Sequence, residues 1–145
     1  MEISNKYEYT LLALLELANC YQKGESLQIR QIAEMQEIPS RYLEQILATL
    51  RHGGIIKSIR GAKGGYTLAR EPHKITLLEA WYCVEGSVKN VYDLHQGDSS
   101  MARQIIEDFW LEASQAAHSV LQKYTLQDLH ERQANYTQSS PMYYI

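Results

Sequence analysis

Side chains able to do chemistry are sparse in this 145-residue chain. The densest set is the stretch RGAKGGYTLAR, Arg60 to Arg70, with three cations and three glycines in eleven residues. Lysine among glycines raises the possibility of phosphate binding. A loop that cradles a nucleotide phosphate follows a strand, opens a helix, and reads Gly, four residues, then Gly-Lys-Ser or Gly-Lys-Thr. Here Lys63 precedes Gly64 instead of following it, and YTLAR alternates like a strand. The nucleotide reading fails, and the phosphate of a polymer remains.

A second set lies just upstream. Arg41 and Gln45 are four residues apart and share one face of any helix,. Both types make bidentate contacts to base edges, Arg with guanine and Gln with adenine. Ser40 can donate to a backbone phosphate, and Glu44 can accept from a cytosine amino group or pair with a neighbouring cation. Arg60 and Lys63 suit narrow-groove insertion and phosphate contact respectively, while Arg51 and Lys57 would add affinity that does not depend on sequence.

Catalytic chemistry finds no comparable support. Glu107 and Asp108 are adjacent, so on a helix they diverge and cannot act as an acid-base pair,. The histidines form no grouping with a nucleophile that spacing can argue. Cys20 and Cys83 are too few for a disulfide framework, and neither has a C-x-x-C context, so structural zinc is not expected and no cofactor is assigned,.

The elements that must position these residues follow from periodicity. Ser4 caps a predicted helix reaching Tyr21, with Tyr7, Leu11, Leu14, Leu15 and Ala18 on its apolar face. A short helix over LQIRQIAEMQ turns Ile29, Ile32 and Ala33 inward. A third starts after Pro39 and stops at Gly53-Gly54, burying Tyr42, Leu43, Ile46, Leu47 and Leu50 and leaving Ser40, Arg41, Glu44, Gln45 and Ala48 outside. The period then changes from 3.6 to 2, so IIKSIR and YTLAR make a β-hairpin across GAKGG. Thr76 and Glu79 form a capping box for a helix ending before Gly86. A polar loop leads to a long helix from Ser100 to about Tyr124, and Thr125 with Asp128 caps a last one. YTQSSPMYYI reads as a frayed tail.

Helix, turn, helix and hairpin in this order make a winged helix-turn-helix, in which the second helix of the pair enters the major groove. The expected fold is therefore mainly α with a small β-hairpin. Residues 1–86 would form the reading domain, 87–135 a loop and dimerisation helices, and 136–145 a flexible tail. The long helix carries Ile105, Phe109, Ala113, Ala116 and Val120 on one face, a stripe suited to a symmetric homodimer. No segment approaches the apolar length of a membrane span, and Glu2 stands where a secretory signal would carry positive charge, so the expected location is the cytoplasm,.

Charge separates the same two parts. The net charge is -3, but residues 39–74 hold seven Lys and Arg against two acids, and residues 75–145 hold four against nine. The basic part suits a nucleic acid, and the acidic part would face away from it. The net acidity alone favours a different reading, a protein-interaction module that has kept the winged shape without reading DNA.

YLEQIL, the double glycine and IRGAKGGYTLAR resemble the Rrf-two family of bacterial winged-helix transcription regulators, and the resemblance extends from SNKYEYTLLALLELA through KITLLEA to the long helix. It implies a homodimer on a pseudo-palindromic double-stranded DNA operator, with base-reading residues at Arg41, Glu44 and Gln45 and a minor-groove arginine at Arg60. Members often have a small polar residue where this chain has Arg41. Cluster-binding members carry three cysteines in the loop before the long helix, and GSVKNVYDLHQGDSS has none,. Glu8, where some relatives supply a carboxylate ligand, and His95 in the loop are the candidates for a sensor with non-cysteine ligands. A regulatory partner protein is the other source of signal that the resemblance leaves open.

Overall fold

The computed structural model describes residues 3–86 and 100–139. Helix α1, Asn5–Tyr21, begins where the Ser4 hydroxyl accepts from the Tyr7 amide at 3.1 Å,. It is the hub of the fold, touched by four other helices and the hairpin. Its buried side is accordingly wider than one stripe. Ala13 and Leu17 are buried with Tyr7, Leu14 and Ala18, while Leu11 and Leu15 are only half-buried.

Helix α2, Ile29–Gln36, starts with a reciprocal cap between Gln28 and Gln31 and buries Ile32 and Ala33. The buried Glu16 carboxylate accepts from the Gln36 amide and ties α2 to α1. Glu37, in the left-handed conformation at φ 54°, ends α2, and Pro39 caps α3, Ser40–His52. Gly54, at φ 76°, turns the chain out of α3,.

Strands β1, Ile56–Ile59, and β2, Gly65–Leu68, pair antiparallel with Ile56 opposite Leu68 and Ile59 opposite Gly65. A single-residue bridge adds a third edge: the Leu27 amide donates to Tyr66 at 3.0 Å and the Tyr66 amide returns to Leu27 at 2.7 Å. An isolated two-stranded hairpin is marginal in water, so this attachment matters to it.

After a 3₁₀ turn at Pro72–Lys74 comes α4, Leu77–Glu85. The Thr76 hydroxyl accepts from the Glu79 amide at 3.1 Å as a cap should. The Glu79 carboxylate does not complete the box; it pairs with Arg70 at the end of the hairpin instead. The long α5, Met101–Lys123, is capped by Ser100, and α6, Leu126–Ser139, by Thr125 and Asp128 in reciprocal bonds. Helix α6 runs past Asn135, where the sequence suggests a tail, because no glycine or proline interrupts it before Pro141.

One core joins Leu14 and Leu17 of α1, Ile32 of α2, Leu43, Ile46, Leu47 and Leu50 of α3, Ile56 and Leu68 of the hairpin, and Ile75 and Leu126. Leu126 arrives from beyond the long helix. Its amide donates to the Ile75 carbonyl at 3.0 Å, while the Leu77 amide donates to Tyr124 at 2.9 Å. The Tyr7 hydroxyl donates to the Leu77 carbonyl at 2.8 Å, and burial pushes its pKa up to about 12,.

Helix α6 lies on α1. The Asn19 amide donates to Gln133 at 2.9 Å, so its oxygen accepts, and His130 Nδ1, 2.6 Å away, carries the proton,. Helix α5 packs on α4 through His118, whose ring sits 5.1 Å from Trp81 and 5.7 Å from Tyr82. No residue of α5 is buried.

Candidate nucleic-acid interface

The outer face of α3 follows from its period. With Leu43, Ile46, Leu47 and Leu50 turned into the core, Ser40, Arg41, Glu44, Gln45 and Ala48 are forced outward, and all five are exposed,. Tyr42 departs from the expected buried stripe. It is 38% exposed and meets Tyr9 edge-on at 5.6 Å, at the margin where α3 leaves α1. A helix of about 10–12 Å diameter fits a major groove about 12 Å wide.

The cations around this face divide into two groups. Arg70 pairs with Glu79 and Lys74 pairs with Glu71 at 3.1 Å, which pulls the Glu71 carboxyl below its usual range through the lysine hydrogen bond. Arg41, Arg51, Lys57, Arg60 and Lys63 are exposed and make no ion pair among the described residues. Those five, unneutralised, lie on α3 and along the hairpin and its tip.

The hairpin tip is held from inside and outside. The Gly64 amide donates to Gly61 at 2.9 Å and closes the turn, with Gly61 at φ 111°. Gly65, at φ 155°, passes so near the preceding loop that a Cβ there would lie 2.4 Å from the Leu27 carbonyl oxygen,. The Ser26 hydroxyl donates to the Lys63 carbonyl at 2.8 Å. Sequence reading missed Ser26, Leu27 and the Arg70–Glu79 strut. They join positions far apart in the chain and leave no periodic signal.

The stripe assigned to dimerisation is open. Ile105, Phe109 and Val120 are 51%, 69% and 54% exposed, Ala113 and Ala116 are exposed, and Ile106 and Trp110 beside them are 67% and 56% exposed. These side chains recur at three- and four-residue spacing and form one apolar face along α5,.

The described residues do not fit an iron-sulfur cluster. Only two cysteines exist, Cys20 ending α1 and Cys83 within α4. Burial pushes both thiols up, Cys20 further by Glu25 and Glu16 and Cys83 by Glu79, which disfavours the thiolate that ligation requires,. Glu8 is exposed on α1, and among the described residues no three metal-ligating side chains converge. His95 and its loop lie outside the described residues.

A helix pair whose second member presents a polar face, followed at once by a braced, cation-bearing hairpin, defines a winged helix-turn-helix protein of the DNA-binding class. The Rrf2 signature, described as Iron-dependent Transcriptional regulator, matches residues 3–132. The chain belongs to the Rrf2 family, and it is a DNA-binding transcription regulator. It is 36% identical to the HTH-type transcriptional regulator CymR of Bacillus subtilis (strain 168) over 148 residues, covering the whole of both. The solved structure of CymR, the global cysteine regulator of B. subtilis, superposes with a TM-score of 0.76 at 33% identity, covering 91% of this chain and 98% of that one. T. potens IscR gives a TM-score of 0.77 at 32% identity, covering 91% and 88%. The relatives are named as transcriptional regulators, and this overtakes the reading as a winged module that does not bind DNA. No helix among the described residues is long and apolar enough to cross a membrane.

Proposed function

We propose that this regulator acts as a non-enzymatic cytoplasmic homodimer on a pseudo-palindromic operator. Helix α3 lies in the major groove of each half-site and the hairpin lies over the adjacent minor groove. Arg41, Glu44 and Gln45 meet base edges, Arg60 enters the narrow groove, and Ser40, Arg51, Lys57 and Lys63 contact the backbone. The observation that carries this reading is the outer face of α3, exposed and free of ion pairs among the described residues, beside a hairpin whose Lys57, Arg60 and Lys63 are equally unneutralised.

The two halves of the surface do separate work. Lysine and arginine on the hairpin release counterions from the duplex and supply affinity whatever the sequence. Discrimination comes from α3, where each good bidentate pair is worth about 1–3 kcal/mol against the wrong base. The exposed stripe of α5, centred on Phe109 and Ala113, supports the dimer, and the alanines let a second helix approach closely. Two heads related by a two-fold axis require half-sites spaced by a whole number of helical turns.

Selection of bound sequences from a random duplex pool tests binding, symmetry and spacing together. The expected product is an inverted repeat, bound by a species that sediments as a dimer. Enrichment of a single asymmetric site by a monomer would overturn the dimeric reading. Equal retention of every sequence would overturn the assignment of α3 to base reading.

A further inference from the structure

The hairpin carries Lys57, Arg60 and Lys63, and the loop that connects α1 to α2 runs beside it. Three contacts run from that loop to the hairpin: the Ser26 hydroxyl to the Lys63 carbonyl at 2.8 Å, and the two bonds exchanged between Leu27 and Tyr66 at 3.0 and 2.7 Å. The backbone pair holds β2, the body of the hairpin. The hydroxyl reaches further out, to the residue that bears the tip cation. Among the described residues, Ser26 makes the only hydrogen bond that reaches the turn 60–64 from outside the hairpin.

We propose that Ser26 is a positioning residue for the wing, fixing the Lys63 backbone so that its ammonium group faces the DNA phosphates. The proposal rests on the wing's contact with DNA. Glycines flank Lys63 at Gly61, Gly64 and Gly65, so the tip backbone is intrinsically loose, and a fixed point there removes conformers that would otherwise be lost on binding,. A hydroxyl suits the task because it donates to a carbonyl without adding charge beside the phosphates. The same loop leads directly into α2, so the wing tip and the start of the helix pair share one support. That coupling sets the distance between the hairpin's cations and the face of α3.

The test uses the full-length protein and a fluorescent random-sequence duplex of about 30 base pairs, titrated over a range of salt concentrations. Ser26→Ala should weaken binding about three- to tenfold, the loss expected for one hydrogen bond. It should also flatten the salt dependence toward that of Lys63→Ala. Because Ser26 acts through Lys63, the double variant Ser26→Ala with Lys63→Ala should bind no worse than Lys63→Ala alone. Ser26→Thr keeps the hydroxyl and should restore the wild-type salt slope. Additive losses in the double variant, or a Ser26→Thr protein as weak as Ser26→Ala, would overturn the proposal. So would Ser26→Ala binding as tightly as wild type. A wild-type protein whose affinity does not change on Lys63→Ala would instead sink the wing's contact with DNA, and the two failures are therefore distinguishable.

Discussion

Gly65→Ala tests how the hairpin is held. In place, an alanine would adopt φ 155°, a conformation that costs a residue with a side chain about 1–3 kcal/mol,. Its Cβ would also sit 2.4 Å from the Leu27 carbonyl oxygen, 2.6 Å from that carbonyl carbon and 3.0 Å from the Gln28 nitrogen. All three are backbone atoms, so no rotamer change relieves the overlap. The cheaper route is for the hairpin to lift off the loop, breaking the two Leu27–Tyr66 bonds and the Ser26–Lys63 bond. At about 0.5–1.5 kcal/mol net for each hydrogen bond, the loss is about 2–4 kcal/mol. Calorimetry should then show Tm lowered by roughly 5–15 °C. Hydrogen exchange at the Leu27 and Tyr66 amides should quicken roughly 30- to 700-fold, the same free energy read locally. Wild-type protection at both amides together with an unchanged Tm would refute the reasoning, because it would mean the loop yields where the geometry says it cannot.

Three further outcomes follow from the surface and the core. Arg41→Ala and Gln45→Ala should each relax base preference at one position per half-site at about 1–3 kcal/mol, whereas Lys63→Ala should weaken all duplexes alike and reduce the salt slope by about one; selections on the variants compare the profiles, and identical profiles would reject the division of roles. Phe109 is 69% exposed, so Phe109→Glu should leave Tm of the isolated fold nearly unchanged while shifting sedimentation from dimer to monomer; an intact dimer would move the interface elsewhere,. The buried Tyr7 hydroxyl titrates near 12 against about 10 in the unfolded chain, so its stabilisation is complete below pH about 10 and is lost as pH rises from about 10 to 12,. Urea titrations across that window should show a shallower fall for Tyr7→Phe than for wild type.

Much of this architecture could be read from residue order, and for identifiable reasons. The outer face of α3 was legible because four buried aliphatics at helical spacing leave no choice about where Arg41 and Gln45 point. The hairpin was legible because the period changes from 3.6 to 2 across a glycine pair. What escaped were contacts made by single residues over long separations: Leu27 with Tyr66, Thr76 with Thr125, Arg70 with Glu79. None has a neighbour that repeats its pattern, so no window of sequence registers them. Glu79 illustrates the limit, since the local capping signal was correct for its amide and wrong for its carboxylate, which found a stronger partner nine residues away. Tyr42 shows the same at a surface, where an apolar position at helical spacing ends at the rim against another tyrosine.

Leu126 is fully buried in the core shared with α1, α3 and the hairpin, and His130 and Gln133 hold Asn19, residues 111 and 114 positions away. The core of the reading head therefore closes through a residue that follows the long helix, with contacts that reach back to α1 and the turn before α4,. A product of interrupted translation that carries α3 and the hairpin but stops inside α5 lacks Leu126 and the cover over α1. Loss of that fully buried leucine costs about 2–5 kcal/mol, as for other leucines removed from packed cores,. Placing that core residue beyond the long helix ties the stability of the reading head to the segment that also carries the exposed apolar stripe.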